Sequence, residues 1–193
     1  MHIVPFLTYV FVTTFTPGPN NIMSMSSASR HGFSNTLKFT LGVAAGFFVI
    51  LLLSCYFNLL LFHFVPKIDL ITSILGAIYM LYLAFKVVKS TRATEHSHDQ
   101  TSNSFASGLV LQFINPKVIV YGLTVISTFI IPLYKSTLMF ILFSLFLALV
   151  GFLATSCWAA FGAGFQRFLA TYRSLFNLVM ALMLTYSAIS IFI

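Results

Sequence analysis

Negative charge is almost missing from this chain. Of 193 residues only Asp69, Glu95 and Asp99 are acidic, against ten lysines and arginines. Charged residues make up 7% of the sequence, where a soluble globular domain carries about 25%, and 59% of the residues are hydrophobic. These proportions exclude an ordinary water-soluble domain and identify an integral membrane protein. None of the three carboxylates falls inside a long apolar run, so the usual Asp or Glu proton relay is absent from the spans. Cysteine is scarce too: Cys55 and Cys157 both lie in apolar runs and read as small hydrophobes, not as a disulfide framework. Met1-His2-Ile3-Val4 lacks a basic leader and a small-residue cleavage site, so the first span is expected to be retained. Ser24 and the run Ser26–Ser29 have no triad partner, which leaves no nucleophile to assign and no enzyme to expect. The net charge of +7 is of the kind that sets membrane topology; nucleic acid is not expected as a partner.

What the sequence does have is long apolar runs, two of them broken by polar, helix-ending clusters. The first cluster is Thr16-Pro17-Gly18-Pro19-Asn20-Asn21 and the second is Gln112-Phe113-Ile114-Asn115-Pro116-Lys117. Proline removes a backbone donor and glycine permits unusual torsions. In lipid, the groups so freed are tolerated only against protein or a watery cavity. At about 20 residues per span, the length holds six helices and no soluble domain. They are expected near 3–28, 36–64, 70–88, 105–133, 137–164 and from 174 onward, with a polar turn over Ser29–Asn35. One transmembrane domain, 1–193, then divides into halves 1–89 and 105–193, joined by the hydrophilic linker 90–104.

Basic residues orient the chain. Connections after the first, third and fifth spans hold Arg30, Lys38, Lys86, Lys89, Arg92, Arg167 and Arg173, while the other two hold only Lys67 and Lys135. Seven against two places the odd connections in the cytoplasm and both termini outside. The predicted fold class is therefore an all-α membrane protein of six transmembrane helices. Breaks in the first and fourth helices suggest two inverted three-helix repeats, the architecture of many secondary transporters. Thr16 lies roughly 20 Å along its helix and Asn115 roughly 15 Å along the opposing one, at about 1.5 Å per residue. Both breaks then fall in the middle third of a hydrocarbon core about 30 Å thick.

Around that depth, Asn20, Asn21, Gln112 and Asn115 supply amide donors and acceptors. Half-helices beginning after the two breaks, which include Pro17, Gly18, Pro19 and Pro116, present free N–H groups suited to a carboxylate, while freed carbonyls suit an ammonium. A zwitterionic amino acid matches both; the plainer alternative is that the amides only cap broken ends. Lys117 belongs to no loop, and a charge at that depth costs at least ~2.5 kcal/mol. It is a candidate to pair with a substrate carboxylate or to titrate during transport; the plainer alternative is that it snorkels or donates to the carbonyls loosened by Pro116. Gly42-x-x-x-Gly46 is either a close helix-packing face or a pair of glycines scattered in a membrane helix. Glu95-His96-Ser97-His98-Asp99 looks like a metal cluster, but a short His tract in a polar segment is better read as a solvated linker. Trp158 reads as a lipid-facing or packing group, and His63 as interfacial.

These residues resemble the LysE/RhtB family of bacterial amino-acid exporters. Thr16-Pro17-Gly18-Pro19-Asn20-Asn21 with Gly32-Phe33 and Gly42-x-x-x-Gly46-Phe47 is similar to the family's N-terminal signature. Gln112-Phe113-x-Asn115-Pro116-Lys117 is similar to its second motif, and Gly76-x-x-Tyr79-x-x-Tyr82-Leu83-Ala84-Phe85-Lys86 to its third-helix pattern. Within the family, Tyr121–Phe129 and Cys157-Trp158-Ala159 look most like the cysteine and O-acetylserine branch. The resemblance implies an inner-membrane protein that effluxes amino acids on the proton gradient. A metal-ion exporter of the wider superfamily and a membrane-embedded enzyme are the alternatives. Expected partners are a small amino acid and the bilayer, a homo-oligomer being compatible. No metal or other cofactor is expected.

Overall fold

The computed structural model describes residues 3–61, 103–165, 168 and 171–189, together with eight helical positions scattered between 74 and 88. The third-span pattern, the Pro66–Asp69 connection, Lys67, the His96/His98 linker and Arg167 lie outside the described residues, wholly or in large part. Described residues form helices α1 (Ile3–Phe15), α2 (Pro19–His31), α3 (Phe33–Leu61), α4 (Phe105–Ile114), α5 (Pro116–Val125), α6 (Thr137–Gly164) and α7 (Arg173–Ile189). A π-helical turn, Ile126–Ile130, continues α5. No strand occurs among the described residues.

Both expected breaks are present. Thr16–Gly18 separates α1 from α2, and Asn115 alone separates α4 from α5. Each new helix begins with proline at its first position, where the missing N–H has no intrahelical acceptor to lose. The second break bends its helix pair by 68°. The expected turn over Ser29–Asn35 is much narrower than its polarity suggests. Helix persists through His31 and resumes at Phe33. Only Gly32 leaves the helix, at φ 83, its N–H returning to the Ala28 carbonyl. Serine is a tolerable helix residue when its hydroxyl finds a carbonyl, as Ser29 does with Ser26 (2.9 Å).

Among the described residues, α6 and the Phe33–Phe57 portion of α3 are long and apolar enough to cross a membrane; the bent pair Phe105–Ile114 with Pro116–Ile130 makes a third if taken as one span. With 28 residues, α6 runs about 42 Å, longer than the ~30 Å hydrocarbon core. Its exposed Leu138, Ile141, Leu142, Leu145, Leu149 and Leu153 recur at helical spacing along one side. Such a stripe would be an aggregation liability in water and is the normal outer face in lipid.

The helices that carry the breaks are held by unusually close neighbours. On the Gly42–Gly46 face, α3 meets α4 backbone to backbone. A methyl group on Gly42 would collide with the Phe105 carbonyl, and one on Gly46 would lie 2.6 Å from that of Leu109. Gly108 of α4 returns the fit, since a methyl there would strike the Phe39 carbonyl. Of the two readings of Gly42-x-x-x-Gly46, the close-packing face is therefore the one present, with α4 as the partner. Ser104 caps α4 through its hydroxyl, accepting from the Ser107 N–H at 3.1 Å. Ser27 Oγ of α2 donates to Asn103 Oδ1 (2.7 Å), pinning the start of α4 to the end of α2.

One apolar cluster gathers Phe6 and Val10 of α1, Leu51 of α3, Val125 and Ile126, and Leu147 of α6. A second joins Ile22 and Met25 of α2 to Met180 and Leu184 of α7. The two clusters clamp the first break from either end, so its polar interior is framed by rigid packing.

Candidate functional site

Breaking a helix frees the carbonyls of its last turn, and each needs a donor. At the end of α1 the Val12 carbonyl accepts from the Thr16 N–H (3.0 Å) and from the Thr16 hydroxyl. Asn21, in the first turn of α2, reaches back with Nδ2 to the carbonyls of Thr14 (2.9 Å) and Thr16 (3.0 Å). Both of its amide hydrogens are thereby engaged, and Asn21 itself is buried. Trp158 of α6, expected as a packing group, donates its indole N–H to the Phe15 carbonyl at 3.2 Å. Lys117 supplies the remaining donor from the other break: Nζ lies 2.9 Å from the Thr16 carbonyl and 3.5 Å from that of Pro17. The carbonyls it serves belong to the first break and not to the one loosened by its own neighbour Pro116.

The second break is served in return by α2. Asn20 Nδ2 donates to Gln112 Oε1 at 2.7 Å, and Gln112 Nε2 donates to Asn20 Oδ1 at 3.2 Å. Asn115 Nδ2 donates to the same Asn20 oxygen at 3.0 Å. Gln112 also donates to the Gly108 carbonyl (2.8 Å) and is fully buried, at 0% exposure. Asn115 is 1% exposed, and its Oδ1 has no hydrogen-bond partner. Buried polar atoms are nearly always paired, so an open acceptor at this point marks a place where a further donor fits.

Between the breaks lies a cavity of about 50 Å³. Of the residues singled out by sequence, Gly18, Pro19, Asn20, Asn21, Asn115 and Lys117 line it. Pro17, Gln112 and Pro116 stand behind that lining. Gly18 is glycine for steric reasons, because a methyl there would sit 3.0 Å from Lys117 Cδ and crowd the lysine stem. Thr13 and Thr14 of α1, Phe47 of α3, Tyr121 of α5, and Gly151 and Thr155 of α6 complete much of the wall. Tyr121 stacks on Tyr9 with ring centroids 5.7 Å apart and planes within 4°. Sequence reasoning did not single out the threonines. Their one signal is a hydroxyl pair directly before a helix break, which many ordinary caps share.

Neither helix that restarts at the cavity has a side-chain cap: Gly18 precedes α2 and Asn115 precedes α5, and neither side chain accepts from the helix. The starts of two helices therefore line one small cavity, beside an ammonium and an open amide oxygen in an otherwise largely apolar wall. Such a set can hold a carboxylate at the helix ends and a cationic amine at the carbonyls. Cys55 and Cys157 are both free thiols, Cys55 buried and Cys157 exposed. No cluster of three metal-ligating side chains occurs among the described residues.

The LysE type translocator family model matches residues 11–193. The chain is 38% identical over 187 residues to the cysteine/O-acetylserine efflux protein of Salmonella choleraesuis strain SC-B67, covering 97% of this chain and 95% of that one. Proteins of the same description from Klebsiella pneumoniae (38% over 186 residues, 96% and 94% covered) and Escherichia coli O1:K1 (38% over 188 residues, 97% and 95%) are equally similar. No solved structure matches.

Proposed function

The chain belongs to the LysE type translocator family, and we propose that it exports small amino acids, cysteine and O-acetylserine among them, from the cytoplasm across the inner membrane. The substrate class follows the printed function of its relatives, and the site chemistry supports it independently. The observation that carries the reading is the meeting of the two breaks: Asn20 Oδ1 accepts from both Gln112 and Asn115 across the cavity. Two broken helices joined by side chains beside one small cavity are the arrangement in which many secondary transporters place a central substrate site.

In this reading the chain makes six spans in two oppositely inserted three-helix halves, with both termini outside. The substrate carboxylate takes the free N–H groups at the starts of α2 and α5, and Asn115 Oδ1 accepts from the substrate amine or side chain. Asn21 and Trp158 hold the break open without touching substrate. A cavity of about 50 Å³ has room for a few waters, so the site must widen to take an amino acid. The proton gradient supplies the drive.

The test is a substrate panel. Cells with and without the protein are loaded with labelled cysteine, O-acetylserine, a basic amino acid and a divalent metal, and efflux is followed. Faster efflux of the first two alone is expected. Protein-dependent efflux of the metal, with no effect on amino acids, refutes the reading.

A further inference from the structure

Among the described residues, Lys117 is the only charged side chain that lines the cavity, and its position there is specific. The Thr16 carbonyl has two lone pairs; Asn21 Nδ2 takes one at 3.0 Å and Lys117 Nζ the other at 2.9 Å. Asn21 is locked, because the same nitrogen also holds Thr14. Lys117 sits on a flexible stem in the gap left by Gly18. An incoming amine that needs this carbonyl must therefore displace the lysine.

We propose that Lys117 is the coupling residue: its ammonium and the substrate's ammonium occupy the same carbonyls in turn, and the exchange moves one proton. This rests on the amino-acid export reading and names the group that links it to the proton gradient. The empty site holds Lys117 as R–NH3⁺ on the Thr16 and Pro17 carbonyls. When a zwitterionic amino acid docks its ammonium there, Lys117 is pushed off beside a second positive charge. Two like charges a few ångströms apart in a poorly screened cavity repel strongly. Lys117 relieves that repulsion by breaking one N–H bond, keeping the electron pair as R–NH2 and passing H⁺ to cytoplasmic water. After the substrate leaves outside, the free amine takes H⁺ from external water and returns to the carbonyls. One proton thus enters for each amino acid exported.

Among the described residues the surroundings offer no competing carboxylate or imidazole. From α1 the nearest titratable group is Tyr9, stacked on Tyr121, and Tyr121 is the only other titratable side chain among the described residues lining the cavity. The contributions of α2, α3 and α6 to the wall are amides, hydroxyls, apolar groups and glycine. Asp69, Glu95 and Asp99, the only acidic residues of the sequence, all fall outside the described residues.

The experiment is proton counting on binding, with purified full-length protein and O-acetylserine titrated calorimetrically in buffers of different ionisation enthalpy. The wild type is expected to release about one proton per molecule bound, and its affinity to fall about tenfold per pH unit of acidification. Lys117→Met should bind with no proton release and no pH dependence. Lys117→Arg, which keeps its charge, should bind weakly at every pH. Zero release by the wild type overturns the proposal, as does continued release by Lys117→Met. Failure of Lys117→Met to bind also overturns it, since the lysine would then be a carboxylate ligand and not a competitor. If the wild type binds neither O-acetylserine nor cysteine, the export reading itself falls.

Discussion

Replacing Asn20 by leucine and replacing Gln112 by leucine break the same reciprocal amide pair, yet the two should differ in cost. Asn20→Leu removes the donor to Gln112 Oε1 (2.7 Å) and the acceptor of Asn115 Nδ2 (3.0 Å). Both stranded groups belong to residues no more than 1% exposed, and each buried orphan costs about 1–3 kcal/mol. The sum is about 2–6 kcal/mol of stability. Gln112→Leu strands much less. Asn20 is only half-buried and faces a cavity with room for water. The Gly108 carbonyl sits inside α4, where the backbone N–H four residues on serves it. About 1 kcal/mol is expected there, the net value of a satisfied hydrogen bond. Thermal unfolding of the purified variants in detergent, read by the amount remaining monodisperse after heating, ranks them. In the double variant the loss should be smaller than the sum of the singles, because Gln112 Oε1 is no longer present to be stranded; couplings of 0.5–3 kcal/mol are typical of contacting residues. Equal losses in the two single variants, or strict additivity in the double, would falsify the orphan-group reasoning.

The orientation is checked by a cysteine at Ser97, which in intact cells should resist a membrane-impermeant thiol label that reacts with one at Lys135; the reverse pattern inverts the topology. Replacing His96 and His98 by alanine should leave efflux of O-acetylserine unchanged, and metal-sensitive loss would restore the metal-exporter alternative. Gly108→Ala drives a methyl into the Phe39 carbonyl of α3, and overpacking of this kind costs about 1–3 kcal/mol. It should lower the unfolding temperature and the steady-state amount in the membrane, whereas Gly164→Ala, with open space beside it, should do neither.

Both breaks were legible from local chemistry, since proline beside glycine or asparagine cannot sit quietly in an apolar helix. The breaks were drawn too long, since each new helix opens on a proline within the polar cluster, at Pro19 and Pro116, and not after it. What could not be read was who serves whom. Asn20 and Gln112 are 92 residues apart, and no local pattern says that Lys117 caps Thr16 instead of its own neighbourhood. Trp158 does pack, against the cluster of Ile22, Met25 and Leu184, but its indole N–H has a second task that could not be read for the same reason: the acceptor at Phe15 exists only because a distant helix is broken. The turn over Ser29–Asn35 was drawn too wide because polarity was taken as a sign of disrupted helix. Serine and asparagine here keep the helix by bonding back to carbonyls one turn away, and Gly32 alone interrupts it.

Each broken helix is completed by side chains of the other, so neither break forms a self-sufficient unit. Pulling α2 away from α4 at the cavity would unseat the Asn20 amide, and lifting Lys117 would at the same time leave the Thr16 carbonyl to Asn21 alone. The two ruptures are thus tied together, because both contacts join the same pair of broken helices. Separating those helices to widen the cavity breaks both sets at once, a loss that an amino acid offsets only by supplying partners of its own. A carrier built this way resists opening while empty, so leakage of ions is opposed by the contacts between its broken helices.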